Sequence, residues 1–256
     1  MSAPSAMPTW RIDFDHWPYP PIVAHRGAGK LAPENTLAAL RAGALLGQTM
    51  FEFDVKLTGD GKPILMHDAT LDRTTSGSGL AGAFTLAEIT QLDAGSWHSA
   101  PYAGEPVPTF GNVARWLRSN GLMANIEIKP SPGREVETGA AVAVAAAQAW
   151  QDAVVPPMLS SFSEAALEAA QHAVPILPRA LLLHRLPDDW PARLRRLGCV
   201  ALDANHLELT PEIVARARAE RFRVLTYTVN DPARARTLQD WGVDMVITDA
   251  VDLLRP

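Results

Sequence analysis

Short apolar, β-branched runs alternate with alanine- and leucine-rich stretches of helical spacing along most of the chain, and this alternation limits the fold more than any other feature. The strand-like runs fall at residues 22–25, 50–57, 63–67, 124–129, 158–162, 180–183, 200–203, 224–229 and 245–248. Helical spacing runs through 34–46, 135–150, 164–173, 211–221 and 232–241. Crossovers of this length require parallel strands covered by helices. Thr210-Pro211 and Asp231-Pro232 each set a capping side chain before a first-turn proline. A TIM-type (β/α)8 barrel typically needs about 250 residues, and the chain has 256.

Nine runs are one more than such a barrel uses. Gly59-Asp60-Gly61 signals a turn, and too few residues separate 50–57 from 63–67 for a crossover helix. These two runs are expected to form a hairpin, or one of them to stand outside the regular pattern. The run at 200–203 is a candidate false strand. Residues from about 69 to 108 are rich in Gly, Ser, Thr and Pro, with one helix-like piece at 86–92. An excursion of this length is expected to be a functional loop or small subdomain roofing the His67-Asp68 pair. The expected organisation is an arm at 1–20 and one barrel domain at 21–256, with an insertion at about 69–108.

Composition enters as a set of exclusions. The net charge is −5, and the densest basic cluster, 193–196, reads as a solvated helix face. General affinity for nucleic acid or anionic membrane is not expected. The single cysteine, Cys199, sits in an apolar stretch and reads as a small buried thiol. Residues 1–21 hold no apolar stretch of secretory type, and no run of 18 apolar residues occurs. The expectation is a soluble cytoplasmic protein acting on a small molecule, without stable membrane association. A homodimer is left open.

Polar residues inside apolar strands carry the chemical information. Glu52 and Asp54 stand at i and i+2 and share a face, as do Asn125, Glu127 and Lys129. Unpaired buried carboxylates are costly, and three of them converging from two strands suit an oxygen-seeking Mg²⁺ or Ca²⁺. The structural alternative pairs Glu127 with Lys129, and Glu52 and Asp54 with an arginine at the barrel end. With the turn centred on Asp60-Gly61, Asp54 falls opposite His67, which brings that imidazole beside the acids. His25, in Ala24-His25-Arg26-Gly27, ends the first strand, where barrel enzymes place reactive groups. Two histidines can divide general acid and base work, and Arg26 and Lys129 can hold an anion. His16, His98, His172, His184 and His206 lack such company and read as structural or surface residues. A serine-hydrolase elbow, a phosphate loop and a complete dinucleotide fingerprint are all missing.

In this order, His25-Arg26-Gly27, Pro33-Glu34-Asn35-Thr36, Glu52-x-Asp54, Asp60-Gly61, His67-Asp68, Leu71-Asp72-Arg73-Thr74, Glu127-Ile128-Lys129, Ser161-Phe162, Thr228-Val229-Asn230 and Thr248-Asp249 resemble the glycerophosphodiester phosphodiesterase family. The likeness runs from about 22 to 251. The compact form is similar to cytoplasmic bacterial members associated with glycerol 3-phosphate uptake. The resemblance implies a phospholipase-C-like TIM barrel, His25 and His67 as the acid–base pair, and Glu52, Asp54 and Glu127 as ligands of one divalent ion. That ion would be Mg²⁺ or Ca²⁺, with Mn²⁺ or Co²⁺ as further candidates. Arg26 and Lys129 would contact phosphate, and Tyr227 would line the substrate pocket where many members carry Trp. Glycerophosphocholine and glycerophosphoethanolamine are the implied substrates. Two rival readings are a lysophospholipid or phosphoinositide diesterase on the same fold, and a non-catalytic phosphate-binding barrel. For lipid contact, Trp97 and Tyr102 are the only candidates in the insertion.

Overall fold

The computed structural model describes residues 10–256; the first nine positions of the expected arm lie outside the described residues. Eight parallel strands close into a ring: β1 (Ile22–Ala24), β2 (Met50–Leu57), β4 (Met123–Ile128), β5 (Met158–Ser161), β6 (Arg179–Leu183), β7 (Ala201–Asn205), β8 (Arg223–Tyr227) and β9 (Met245–Thr248). β9 returns to β1 through Ile22↔Val246, and β1 meets β2 at Ala24↔Phe51. The ninth strand, β3 (Pro63–Leu65), runs antiparallel to the outer end of β2 and stands outside the ring.

The surplus strand is therefore the hairpin arm. The run at 200–203 is no false strand: it begins β7, which pairs with both β6 and β8. The hairpin register also differs from the expected one by a residue. Val55 pairs with Leu65 and Leu57 with Pro63. The Thr58 amide donates to the Lys62 carbonyl at 3.0 Å, which leaves three loop residues, the last being Gly61 at φ 74°. A three-residue loop closed by a left-handed glycine shifts the ladder by one position from a two-residue turn. Met66, not His67, faces Asp54, donating its amide to the Asp54 carbonyl at 3.0 Å. Past Leu65 the chain leaves the ladder, and this frees His67 to reach the rim.

Among the described residues, seven helices cover the ring: α1 (Leu37–Leu45), α3 (Phe110–Ser119), α4 (Glu135–Ala149), α5 (Glu164–Ala173), α6 (Trp190–Arg196), α7 (Pro211–Ala219) and α8 (Pro232–Asp240). Thr36, Thr109, Ser163, Thr210 and Asp231 each accept a first-turn amide, ending the strand-to-helix loops at defined points. α1 starts at Leu37 and not at Glu34 because Asn35 sits at φ 58°, outside helical space, and Thr36 is the cap. Phe51, Phe53, Ile126, Val142 and Leu159 fill the layer between strands and helices.

Inside the ring, the N-terminal end is packed by Val23, Met50, Met158, Ala180, Ala201, Leu225 and Met245. The arm closes this end. Tyr19 donates its hydroxyl to the Pro156 carbonyl at 3.0 Å, and the Trp10 indole donates to the Ala153 carbonyl at 2.8 Å. Between β3 and α3 the chain forms a small unit around Ile64, Met66, Leu71, Ile89 and Val107, with α2 (Leu86–Ile89) started by a Thr85–Glu88 capping box. Among the described residues, no helix is long and apolar enough to cross a membrane.

Candidate active site

Parallel pairing puts Asp54 beside Glu127 and Glu52 beside Asn125 at the C-terminal ends of β2 and β4. Partners on neighbouring strands project from one face, and one oxygen each of Glu52, Asp54 and Glu127 lies within 4.8 Å of the others. All three residues are buried, and neither Glu52 Oε1 nor Asp54 Oδ1 has a hydrogen-bond partner among the described residues. Burial, then repulsion from Asp54 and Glu127, pushes the Glu52 carboxyl well above the usual range. Burial and Asp54 likewise raise Glu127 to about 7, against the pull of Lys129. Burial would raise Asp54 too, but Arg26, Lys129, His67 and a hydrogen bond from Asn35 hold it at about 2. Three mutually repelling carboxylates with orphaned oxygens fit a hard divalent cation, which would supply the missing positive charge.

Each histidine is braced by an aspartate. His25 follows β1, and its Nδ1 lies 2.6 Å from Asp249 Oδ1, leaving Nε2 facing Glu52 at 3.8 Å. This brace depends on a close approach of two loops: a Cβ on Gly29 would sit 2.1 Å from the Asp249 carbonyl oxygen. His67 Nδ1 lies 2.6 Å from Asp68 Oδ1. Burial lowers the His67 pKa; Asp54 and Asp68 pull upward, Arg26 and Lys129 downward, and the net result is lowered. The imidazole is thereby kept neutral near pH 7.

The cations lie against the acids. Lys129 Nζ donates to Glu127 at 2.6 Å and stands 3.5 Å from Asp54. Arg26, in a left-handed turn at φ 51°, donates its amide to Glu52 at 3.1 Å and sets Nε 3.3 Å from Asp54 Oδ2. That last approach is a charge contact without hydrogen-bond alignment. The pairs of the structural alternative are thus present, yet they leave two of the three carboxyls pushed upward and two oxygens unpaired. Glu34 fixes Arg26 from behind at 2.8 Å, and Arg73, from the segment after β3, bridges Glu34 and Asp68.

His25, Arg26, Glu52, His67, Glu127, Lys129 and Tyr227 all line one cavity of about 170 Å³ at this rim, and Asp54 lies behind the lining. All eight site residues expected from the sequence therefore come together. Tyr227 donates to the Leu183 carbonyl at 3.1 Å, and its ring meets Phe162 edge-on at 5.6 Å. Sequence reasoning assigned no role to Asp249, Asn35 or Arg73, and overlooked Lys56, Ser160 and Asp203. Lys56 is buried two positions beyond Asp54, donates to the Lys129 carbonyl at 2.8 Å, and is lowered by burial to about 8. Asp203 is a lone acid in the apolar run 200–204, the same signal that singled out Glu52.

A closed parallel barrel whose C-terminal rim joins carboxylates, braced imidazoles and fixed cations defines a barrel enzyme acting on an anionic substrate. The chain belongs to the glycerophosphoryl diester phosphodiesterase family, whose sequence model matches residues 25–253. It is 33% identical over 238 residues to the glycerophosphodiester phosphodiesterase of Caldanaerobacter subterraneus subsp. tengcongensis, covering 91% of this chain and 95% of that protein. An Oleispira antarctica phosphodiesterase, solved in complex with the product sn-glycerol-3-phosphate, superposes with a TM-score of 0.87 at 37% identity, covering 91% of this chain and 94% of that one. The Agrobacterium tumefaciens glycerophosphodiester phosphodiesterase gives 0.78 at 28%, covering 92% and 98%. The family is enzymatic, and the chain is a phosphodiesterase of it.

Proposed function

We propose that the chain hydrolyses glycerophosphodiesters such as glycerophosphocholine and glycerophosphoethanolamine to sn-glycerol 3-phosphate and an alcohol. Glu52, Asp54 and Glu127 hold one divalent ion, Mg²⁺ or Ca²⁺ with Mn²⁺ or Co²⁺ as alternatives, and His25 and His67 exchange protons with the substrate. The observation that carries this reading is the meeting of the acid trio, both aspartate-braced imidazoles, Arg26 and Lys129 around one cavity. The sn-glycerol-3-phosphate found in the Oleispira relative supports the product.

When bound, the ion withdraws charge from the phosphoryl oxygens. Arg26 and Lys129 hold the same group electrostatically, and the buried rim strengthens that hold. His67, neutral through burial, accepts the proton of the glycerol 2-hydroxyl at Nε2 as the hydroxyl oxygen bonds to phosphorus. His25, oriented by Asp249, gives a proton to the departing alcohol oxygen as its bond to phosphorus breaks. Water then opens the cyclic phosphate, and the two imidazoles return to their starting states. Arg73 ties the segment at about 69–108 to the rim through Glu34 and Asp68. The cytoplasm is the proposed setting, in line with the compact bacterial form.

The test is release of sn-glycerol 3-phosphate from glycerophosphocholine with EDTA and with each of the four ions restored. Release that EDTA abolishes and a divalent ion restores is the expected result. No release with any ion would refute the activity, and release indifferent to EDTA would refute the metal. Long-chain lysophosphatidylcholine, run in parallel, should be hydrolysed far more slowly.

A further inference from the structure

The closed end of the cavity is built from side chains that the proposed chemistry leaves idle. Asn125 on β4, Ser160 on β5 and Asp203 on β7 line it, and each is 0% exposed. Their positions follow from the ladder: Asn125 sits beside Glu52, Ser160 beside Glu127, and Asp203 beside Leu182. Neither the oxygen nor the nitrogen of the Asn125 amide has a hydrogen-bond partner among the described residues. The Ser160 hydroxyl and both Asp203 oxygens also lack one. Leaving a buried polar group unpaired is costly, so five such atoms at one end of the cavity mark the seat of a polar ligand. The intervening lining, Leu182 and Ile247, is aliphatic. A wall that mixes unpaired donors and acceptors with aliphatic contact matches a short polyol.

The order of events decides which end of the diester lies there. The alcohol must depart before water opens the cyclic phosphate, so it needs the open side. That side is a groove along Ala69, Pro130, Pro132 and Phe162, at the mouth beside Lys129 and His67. The glycerol half, retained through both steps, takes the closed end.

We infer that Asp203, with Asn125 and Ser160, reads the terminal free hydroxyl of the glycerol moiety, and that this floor selects fully deacylated diesters over lysophospholipids. The inference rests on the proposed function for its substrate class. An acyl ester at the terminal position removes the hydroxyl that Asp203 accepts, and sets a chain where the barrel interior is filled by Met50, Met158 and Met245. A site built to pair a hydroxyl discriminates strongly against analogues that lack one, because its own buried groups then go unsatisfied.

Binding to the metal-loaded protein tests this without reliance on turnover. The probes are sn-glycerol 3-phosphate and propane-1,2-diol 1-phosphate, which lacks only the terminal hydroxyl. The unsubstituted protein should favour the first by at least about 10-fold, the equivalent of one well-made hydrogen bond to a charged or buried group. Asp203→Ala should reduce the preference below about 3-fold, and Asp203→Asn, which keeps an acceptor, should restore part of it. Ser160→Ala, which removes a single oxygen and threatens folding least, should lower it by about 3-fold. Equal affinities in the unsubstituted protein, or a full preference in both Asp203→Ala and Ser160→Ala, would overturn the inference. Lost hydrolysis of glycerophosphocholine with the preference intact would count against the proposed function alone.

Discussion

The two ends of the barrel are lined by the same strands, and two residues of chain separate opposite chemistries. On β2 the inward positions run Met50, Glu52, Asp54; on β4 they run Met123, Asn125, Glu127. β5 passes from Met158 to Ser160, β7 from Ala201 to Asp203, and β8 from Leu225 to Tyr227. The N-terminal end is apolar and closed by the arm. The C-terminal end holds repelling carboxylates and unpaired donors. Neither end would work alone: a rim in which burial and mutual repulsion raise two of three acids lowers stability, and the packed end must offset that cost.

Glu52→Gln should break this contrast most sharply, because it makes the rim more like the core. With a ligand of the proposed ion gone, kcat/KM should fall about 1,000-fold, or roughly 4 kcal/mol of transition-state stabilisation. The metal-free protein should nevertheless melt higher, by about 2–4 °C per kcal/mol of repulsion relieved. Steady-state kinetics and a thermal melt in EDTA check both halves. A variant that loses activity and also melts lower would show that Glu52 stabilises the fold.

Met158→Ala attacks the other end. Met158 is fully buried in the interior layer beneath the cavity. Its truncation should cost about 2–5 kcal/mol in denaturant unfolding, while kcat stays within a factor of about three, since Met158 does not line the cavity. A large drop in kcat at full folding would mean that the packed layer also tunes the rim.

The pH dependence of the metal-free protein isolates the repulsion itself. Glu127 holds its proton up to about 7 in the fold, against an ordinary 4.5. Its contribution to stability is therefore fully present below pH 4.5 and lost as pH rises through 7, an effect of about 3 kcal/mol. Asp54, held at about 2, works in the other direction: its contribution is present above 3.8 and lost only as pH falls through 2. Between pH 4.5 and 7 Glu127 and the likewise raised Glu52 both lower stability as pH rises. The comparison with Glu127→Gln isolates the Glu127 share: stability in EDTA should decline relative to that variant. Protection by Mg²⁺ should grow through the same window, because ion and proton compete for the carboxylates. A constant difference between the two proteins across that range would remove Glu127 from the repelling set.

His25→Ala and His67→Ala should each lower turnover at least about 100-fold, or roughly 2.7 kcal/mol, with little change in melting temperature. Near-normal turnover in either variant would take that imidazole out of the proton transfers.

What could be read beforehand follows the same division. Alternating runs and carboxylates two residues apart are local patterns, and they indicated the barrel and the face that carries Glu52, Asp54 and Glu127. Contacts made by ring closure have no local trace. His25 and Asp249 lie 224 residues apart and meet only because β9 pairs with β1. The hairpin register turned on one extra loop residue, Gly59, in a three-residue loop that Gly61 closes in a left-handed conformation. Asp203 escaped notice for a different reason: it ends the short run 200–203, which looks irregular until the strand Ala201–Asn205 and the cavity it faces are known. Each miss lies at the rim, where the chain departs from the regular pattern in order to place a functional group.

The smallest effect belongs to the seal of the apolar end. Tyr19 is buried, with its hydroxyl donating to the Pro156 carbonyl before β5, and Trp17 packs edge-on against its ring at 5.0 Å. Tyr19→Phe removes the hydroxyl alone and leaves that carbonyl without its donor, so it should cost about 1 kcal/mol, close to 2–4 °C in melting temperature. Glycerophosphodiester hydrolysis should be unchanged, because the hydrogen bond lies at the opposite end of the strands from the acids. Should Tyr19→Phe alter KM or the EDTA response, the two ends would be mechanically coupled through β5, and the division of labour between them would have to be abandoned.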